Sequence, residues 1–327
     1  MLLSVIIVNY NSTAYLLRCL ASLYKQAQGI DFETIVVDNA STDNGVALIA
    51  RQFPQARLVK SETNLGFAVA NNRGFALSSG ENLLFLNPDT VILGTAVQTA
   101  LGVLSRLGDA GAVGCTLLNS DSTIQTSAIL RFPTILNQVL SADVLHRALP
   151  RLPLWGIAPL FAGSGTVQEV EAISGACMFV KRKAFEAAGM FDKRYFMYAE
   201  DVDLCYGIRV SGFKVYYTGD ARIVHHGGKS TDRSDTRQLP VVMMKESTYT
   251  FLTKWKGSRY ANAYKTALWW TAAVRCALLL LAYPLALAGG GAARVRWSLA
   301  KWTTVFQWAA GNPGIRQNLG RFCNDDA

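Results

Sequence analysis

The chain has 327 residues, half of them hydrophobic and 17% charged, with a formal net charge of +9. That is apolar material for one large domain or two small ones, and it excludes intrinsic disorder, which needs few aromatics and high charge. Six sparse cysteines (Cys19, Cys115, Cys177, Cys205, Cys276, Cys323) with no C-x-x-C pair exclude a disulfide scaffold and the usual structural zinc site, and point to a reducing compartment.

The apolar run Leu3 to Val8 reads as a buried strand. No basic residue precedes it, and Asn9, Asn11 and Ser12 end it. It therefore lacks the form of a signal peptide, and a cytoplasmic location is expected. Ser12 or Thr13 can cap a helix carrying Leu16, Leu17, Leu20, Leu23 and Tyr24 at helical spacing. Thr34 to Val37 is the next strand, rich in β-branched residues. A helix through Val46, Ile49 and Phe53 is closed by Pro54, and Arg57 to Lys60 is a short strand. Gly66 to Ser79 reads as helix with Gly80 as its stop, and Leu83 to Leu86 as a further strand. This alternation predicts an α/β fold with a mostly parallel central sheet covered on both faces, which binds ligands at the carboxyl ends of its strands.

Those strand ends are polar: Asn9-Tyr10-Asn11-Ser12, Asp38 to Asp43, and Asn87-Pro88-Asp89-Thr90. Helix capping accounts for Ser41 or Asp43, but poorly for Asp89. No G-x-G-x-x-G follows the first strand and no G-x-x-x-x-G-K-[ST] occurs, which disfavours a dinucleotide dehydrogenase and a P-loop NTPase.

Charge divides the chain. Residues 1–240 carry 21 Lys+Arg and 20 Asp+Glu, whereas residues 241–327 carry 11 and 3 and hold six of the seven tryptophans. A balanced domain over 1–240 is thus followed by a basic, Trp-rich helical region over 241–327, a composition suited to an anionic membrane surface or to nucleic acid. Cys276 to Ala293 is uncharged but interrupted by Pro284 and three glycines, borderline for a membrane span. Arg294 to Ala309 places Val295, Leu299, Trp302, Phe306 and Ala309 on one helical stripe. That pattern suits a helix lying in the membrane interface, or one that binds a partner or a second copy.

Two blocks of motifs, in order, carry a resemblance. Ser4 to Asn11, Val36 to Asp43, Asn64-Leu65-Gly66-Phe67-Ala68 with Ala70 to Gly74, and Leu84 to Thr90 form a first block. Ser174 to Met178, Gly189 to Asp192, Phe196 to Cys205 and Val224 to Gly228 form a second. Together, over roughly residues 3–230, they resemble the family 2 glycosyltransferases of GT-A type, and most of all their bacterial rhamnosyltransferase-like branch. The resemblance implies an inverting transfer of a sugar, with rhamnose as a candidate, from a dTDP- or UDP-linked donor to a lipid-linked or cell-surface glycan. It places Asp38, Asn72 and backbone groups near Val8 and Tyr10 against the donor nucleotide. Asn87 and Asp89 stand where the family has its D-x-D motif, with one carboxylate replaced by an amide. Asp89 and His225 would then hold Mn2+ or Mg2+, with the phosphates supplying most ligands. Asp201 is the expected general base, and Glu200 and Asp203, three apart on one helix face, are acceptor or supporting groups. Helix capping by all three acids is the plainer alternative.

An insert of about 116–170, broken by Pro133, Pro150, Pro153 and Pro159, is expected to shape the acceptor cleft. Arg131 within it is either a phosphate contact or a solvated surface group. The tail would hold the enzyme peripherally on the inner face of the membrane, and an oligomer is compatible with it. The competing readings are a nucleotidyltransferase making a nucleotide-sugar and a nucleic-acid-binding protein. The first lacks its phosphate loop, and the second lacks any binding motif, so no nucleic-acid partner is expected.

Overall fold

The computed structural model describes residues 2–43, 45–140, 167–227, 239–315 and 317. Residues 141–166 of the expected acceptor insert, including Pro150, Pro153, Trp155 and Pro159, lie outside the described residues, as does Gly228.

The first half follows the strand–helix alternation. Strands β1 (Leu3–Asn9), β2 (Phe32–Asn39), β3 (Arg57–Ser61) and β4 (Asn82–Leu86) alternate with helices α1 (Thr13–Gln26), α2 (Gly45–Gln52) and α3 (Gly66–Phe75). The strands pair in parallel in the order β3-β2-β1-β4. Every residue of β1 is buried, because helices cover both faces of such a sheet. Helix α1 turns Leu16, Cys19, Leu20 and Leu23 inward, as its spacing predicts. Helix α3 ends at Phe75, before the expected Ser79. Leu77 and Ser78 donate to the carbonyls of Gly74 and Phe75, so the chain tightens into turns and leaves the helix. Gly80 then packs against Ser4, where any Cβ would meet backbone at 2.6 Å.

The second half makes the sheet mixed. Next come β5 (Thr90–Ile92), α4 (Ala96–Arg106), β6 (Ala110–Leu118), β7 (Ile129–Leu130) and α5 (Ile135–Leu140). They are followed by β8 (Val167–Glu169), β9 (Ala172–Ile173), β10 (Cys177–Lys181), α6 (Arg182–Ala187), α7 (Glu200–Val210) and β11 (Lys214–His225). Strand β10 enters antiparallel between β4 and β6, and β11 runs parallel to β6 and antiparallel to β5. The ladder β1–β4 stops at Ile7 and Leu86, whereas β1–β2 continues to Asn9 and Asp38. Cys177 lies opposite Leu86. The carboxyl ends of β1, β2 and β4 and the start of β10 therefore share one rim.

Three helices close the chain: α8 (Leu239–Lys256), α9 (Ser258–Ala288) and α10 (Ala292–Ala309). Phe251, Leu252, Tyr264, Leu268 and Trp308 join the same apolar core as β1, so the tail packs on the domain. Helix α9, among the described residues, is long and apolar enough to cross a membrane by length and composition, although Pro284 interrupts it. Trp270, Val274, Leu278, Leu281 and Leu285 form an exposed apolar stripe on it. The expected stripe on α10 faces elsewhere. Trp302 stacks under Arg275, and Phe306 lies 5.1 Å from Trp269, so this face is half-buried against α9. Packing α10 onto α9 covers apolar area that an isolated helix would have offered to lipid.

Candidate active site

Asp38 and Asn9 end neighbouring strands and are both buried. The Asn9 amide donates to Asp38 Oδ1 and to Ser41 Oγ, both at 3.1 Å, which fixes the carboxylate at the rim. Ser41 also accepts the Asn11 backbone N–H at 3.0 Å. Asp43 serves the helices instead: it accepts from Thr13 N at the start of α1 and from Gly45 N at the start of α2. Ser12 makes no cap, since its hydroxyl donates to the Tyr10 carbonyl. Val8 and Tyr10 flank Asn9 where β1 runs past β4.

A second group gathers beyond β4. His225 Nε2 lies 3.3 Å from Asp89 Oδ1 and 3.4 Å from the Asn87 amide nitrogen. The antiparallel register of β11 on β5 places His225 opposite Thr90 and so beside Asp89. Gln125 fixes the imidazole. Its amide nitrogen donates to the His225 carbonyl at 2.6 Å, so its oxygen faces Nδ1 at 2.9 Å and accepts that proton. The lone pair of Nε2 is then left facing the Asp89 carboxylate. Two electron-rich atoms at this separation repel each other unless a proton or a cation lies between them. One carboxylate and one imidazole nitrogen fit a divalent cation here, and the Asn87 amide, whose nitrogen lies beside Nε2, could add its oxygen if turned over. Among the described residues no cluster of three or more His, Cys, Asp or Glu side chains could hold a metal alone, so further ligands would come from a bound diphosphate or water. His226 turns away from this group, bonding Ser120 at 2.7 Å and packing on Tyr15.

One backbone segment connects this group to Asp201. The Asn87 N–H donates to the Ala176 carbonyl, and the neighbouring Gly175 N–H donates to Asp201 Oδ2 at 2.8 Å. Gly175 leaves just enough room: a Cβ there would lie 3.3 Å from Asp201 Cβ. Tyr198 and Ala199, immediately before α7, both adopt left-handed backbone conformations (φ +71° and +60°). Each costs of order 1–3 kcal/mol for a residue with a side chain, and surrounding contacts must hold it. The segment leading into them is anchored by Phe67, whose N–H donates to the Phe196 carbonyl at 2.8 Å beside Gly66 (φ +72°), and by Ser247, whose hydroxyl donates to the Met197 carbonyl at 2.9 Å.

The three acids of α7 diverge. Asp201 keeps some exposure at the rim. Burial raises its pKa, while the N–H groups of Gly175 and Val202 favour its charged form. Glu200 is buried, and among the described residues its Oε2 has no hydrogen-bond partner. Burial first, and the Asp201 charge second, push its pKa up to about 8. Burial raises both carboxyls, and their mutual repulsion disfavours two charges at once, so the pair tends to keep one proton near neutral pH. Asp203 points the other way. It accepts from Lys254 Nζ at 2.7 Å, Trp255 Nε1 at 2.6 Å and Tyr195 OH at 3.2 Å, and so ties α7 to α8.

Of the residues singled out in the sequence, Asp38, Asn87 and Asp89 follow strands that end on one rim, His225 touches Asn87 and Asp89, and Asp201 is tied to Asn87 through Ala176 and Gly175, with Glu200 beside it in sequence. Asn72 does not join them: its amide clasps the Phe191 backbone, donating to the carbonyl at 2.7 Å and accepting the N–H at 3.2 Å. Arg131 pairs with Glu171 at 3.6 Å. The structure adds Asn9 and Gln125. A buried polar residue at a strand end was the signal for Asn9. Gln125 gives no signal, because its partner lies a hundred residues away.

A mixed sheet with one polar rim of this composition is the architecture of a GT-A-like glycosyltransferase. It aligns with a mannosyltransferase from Pyrobaculum calidifontis solved with GDP-Man and Mn2+, over 94% of this chain and 85% of that one, with a TM-score of 0.57 and 19% identity. The model of the family described as "Glycosyl transferase family 2" matches residues 4–187, and the chain belongs to that family. Its relatives include an N-acetylglucosaminyl-diphospho-decaprenol L-rhamnosyltransferase of Mycobacterium tuberculosis, 31% identical over 82% of this chain and 88% of the relative. The rhamnosyltransferase WbbL of Escherichia coli K12 is 25% identical over 68% and 82%. The protein is a rhamnosyltransferase-like glycosyltransferase.

Proposed function

We propose that this enzyme transfers a sugar, with rhamnose as the first candidate, from a dTDP- or UDP-linked donor to a lipid-linked glycan, with inversion at the anomeric carbon. The observation that carries the reading is the backbone link from Asn87 through Ala176 and Gly175 to Asp201, which sets a cation-suited group and a separate carboxylate on one rim. The names of the two rhamnosyltransferase relatives, one acting on a polyprenyl-diphosphate sugar, support rhamnose as the sugar and a lipid-linked acceptor.

In this mechanism Asp38, held by Asn9, accepts the ring N–H of the uracil or thymine base. Backbone groups near Val8 and Tyr10 serve the base carbonyls. Asp89 and His225, with the Asn87 amide oxygen turned inward, would hold Mg2+ or Mn2+, which when bound neutralises charge on the leaving diphosphate. Gln125 keeps the His225 lone pair aimed at that position. Asp201 takes the proton of the acceptor hydroxyl as the oxygen attacks the anomeric carbon from the face opposite the diphosphate. A bond forms from acceptor oxygen to sugar, the bond from sugar to diphosphate breaks, and the nucleoside diphosphate departs. Neutral Glu200 keeps a second negative charge away from the attacking oxygen. The tail, with its exposed apolar stripe on α9, would keep the rim close to a lipid-borne acceptor on the inner membrane face.

A panel of nucleotide-sugars, tested for thermal stabilisation and transfer with and without Mn2+, checks this. Asp201→Asn should keep donor-induced stabilisation and lower transfer by roughly 10²–10⁴-fold. Asp89→Ala should weaken Mn2+-dependent donor binding by about 10–100-fold. Normal transfer by Asp201→Asn would refute the base assignment.

A further inference from the structure

Two consecutive residues at the end of β2 face opposite ways. Asp38 bonds Asn9 on the neighbouring strand. Asn39 turns to the other face, because side chains alternate along a strand. It is buried, and both ends of its amide are used. The nitrogen donates to Asn64 Oδ1 at 2.7 Å, with a longer contact to the Gly66 carbonyl at 3.5 Å, and the oxygen accepts the Leu65 N–H at 2.8 Å. Asn64 Oδ1 accepts a second bond, from the Gly66 N–H at 3.0 Å. Two side-chain amides thus pin the turn Asn64-Leu65-Gly66 that opens α3. An apolar residue at position 39 could fill the space, but it could not satisfy backbone N–H groups aimed at side-chain oxygens.

The loop before α7 rests on that turn. The Phe67 N–H donates to the Phe196 carbonyl at 2.8 Å, and at Gly66 the two backbones come so close that a Cβ would lie 2.5 Å from the same carbonyl. Further along α3, Asn72 clasps the Phe191 backbone, and the rings of Phe67 and Phe191 meet edge to face at 6.0 Å. The opening of α3 and its body therefore hold the segment 191–196 at both ends. Ser247 holds the next residue, Met197, from the side of the tail. The loop then passes through left-handed Tyr198 and Ala199, a conformation that surrounding contacts must impose, and delivers Asp201.

Resting on the assignment of Asp201 as general base, we propose that Asn39 is a positioning residue for the transfer step. Through Asn64, Gly66 and Phe67 it sets where the loop 196–201 lies, and so where the Asp201 carboxylate stands relative to a donor held by Asp38. One strand end thereby fixes both partners: residue 38 holds the nucleotide, and residue 39 holds the loop that brings the base. A reacting group displaced by about 1 Å can lose roughly 10²-fold in rate, so a side chain that never touches substrate has this much leverage.

The test separates chemistry from donor binding. With the nucleotide-sugar that stabilises wild type in the panel above, Asn39→Ala should lower kcat by about 10–100-fold. Its affinity for UDP and dTDP, read by calorimetry, should stay within about threefold, because Asn9 still holds Asp38. Ser4→Ala is the control. Its hydroxyl is also buried and bonds Glu33 and the Gly80 N–H at the opposite end of the sheet, so the variant should lose stability and keep its kcat. Phe67→Pro tests the next link. Proline is tolerated in the first turn of a helix, and there it removes the N–H given to Phe196 along with the ring. Phe67→Ala removes the ring alone, so the extra fall in kcat of Phe67→Pro reads the hydrogen bond. Asn39→Ala combined with Phe67→Pro should be no slower than the slower single variant, since links in series do not add. Equal falls in nucleotide affinity and kcat for Asn39→Ala would overturn the proposal by making Asn39 part of the donor site. An unchanged kcat, or a loss that merely tracks melting temperature across Asn39→Ala and Ser4→Ala, would overturn it as well. Hydrogen exchange of the backbone amides 196–202 needs no transfer. Faster exchange in UDP-bound Asn39→Ala than in UDP-bound wild type reads the link itself, so failure of the base assignment, seen as normal transfer by Asp201→Asn, is recorded separately.

Discussion

At the sheet rim acidic and amide groups converge, whereas at the seam between the sheet domain and the tail opposite charges are matched. At the rim Asp89 faces the lone pair of His225. The seam is different: buried Asp203 is met by Lys254, Trp255 and Tyr195, and Asp192 by Arg194 and Lys254. The Arg194 guanidinium, helped by Lys254, holds the Asp192 carboxyl well below the usual carboxylate range. The contrast teaches where ligands belong. Matched charges hold the molecule together, and a carboxylate facing an imidazole lone pair marks a place where a bound group completes the field.

Breaking the seam should have the largest effect on stability. Lys254→Met leaves the Asp203 carboxylate buried with its cation gone, and should cost about 3–5 kcal/mol, read by denaturant unfolding. If the seam is instead incidental, the loss will be within about 1 kcal/mol, as for an exposed pair.

Gly66→Ala probes the rim. A Cβ there meets the Phe196 carbonyl at 2.5 Å, and the backbone is left-handed, so nothing nearby can yield cheaply. A loss of about 2–3 kcal/mol is expected, together with a fall in kcat that exceeds any change in donor affinity, since the loop it displaces carries Asp201.

A third effect appears as a slope with pH. Glu200 has its pKa raised in the folded protein, so its contribution to stability is present at low pH and fades as pH rises from the ordinary carboxyl range through about 8. One retained proton corresponds to about 1.4 kcal/mol per pH unit across that window. Glu200→Gln should remove this slope: thermal melting of wild type between pH 5.5 and 8 should fall with pH more steeply than that of the variant. Parallel curves would mean that Glu200 is charged in the folded state.

Much of the rim could be read in the chain because each piece is local. Asn9, Asp38 and Asn87 follow apolar runs directly, and a parallel sheet brings such ends together whatever the details of its loops. The left-handed pair Tyr198-Ala199 gave no comparable sign, since neither residue type favours that conformation and contacts from distant segments hold the loop around it. Asn72 illustrates the reverse. Its motif pointed to the donor, but a backbone 119 residues away uses both ends of its amide.

By itself, then, the amino-acid order determined the first four strands and their helices, the polar strand ends and the basic, tryptophan-rich character of the last helices. These rest on periodicity and composition, which act within a few residues. Tertiary structure alone decided that Asp201 faces the rim while Asp203 faces Lys254, that Gln125 orients His225, and that α10 turns its apolar stripe onto α9. Each of those outcomes depends on which distant segment the sheet order and helix packing bring alongside. Local spacing carries no record of that, because the energy lies in contacts between segments rather than within them.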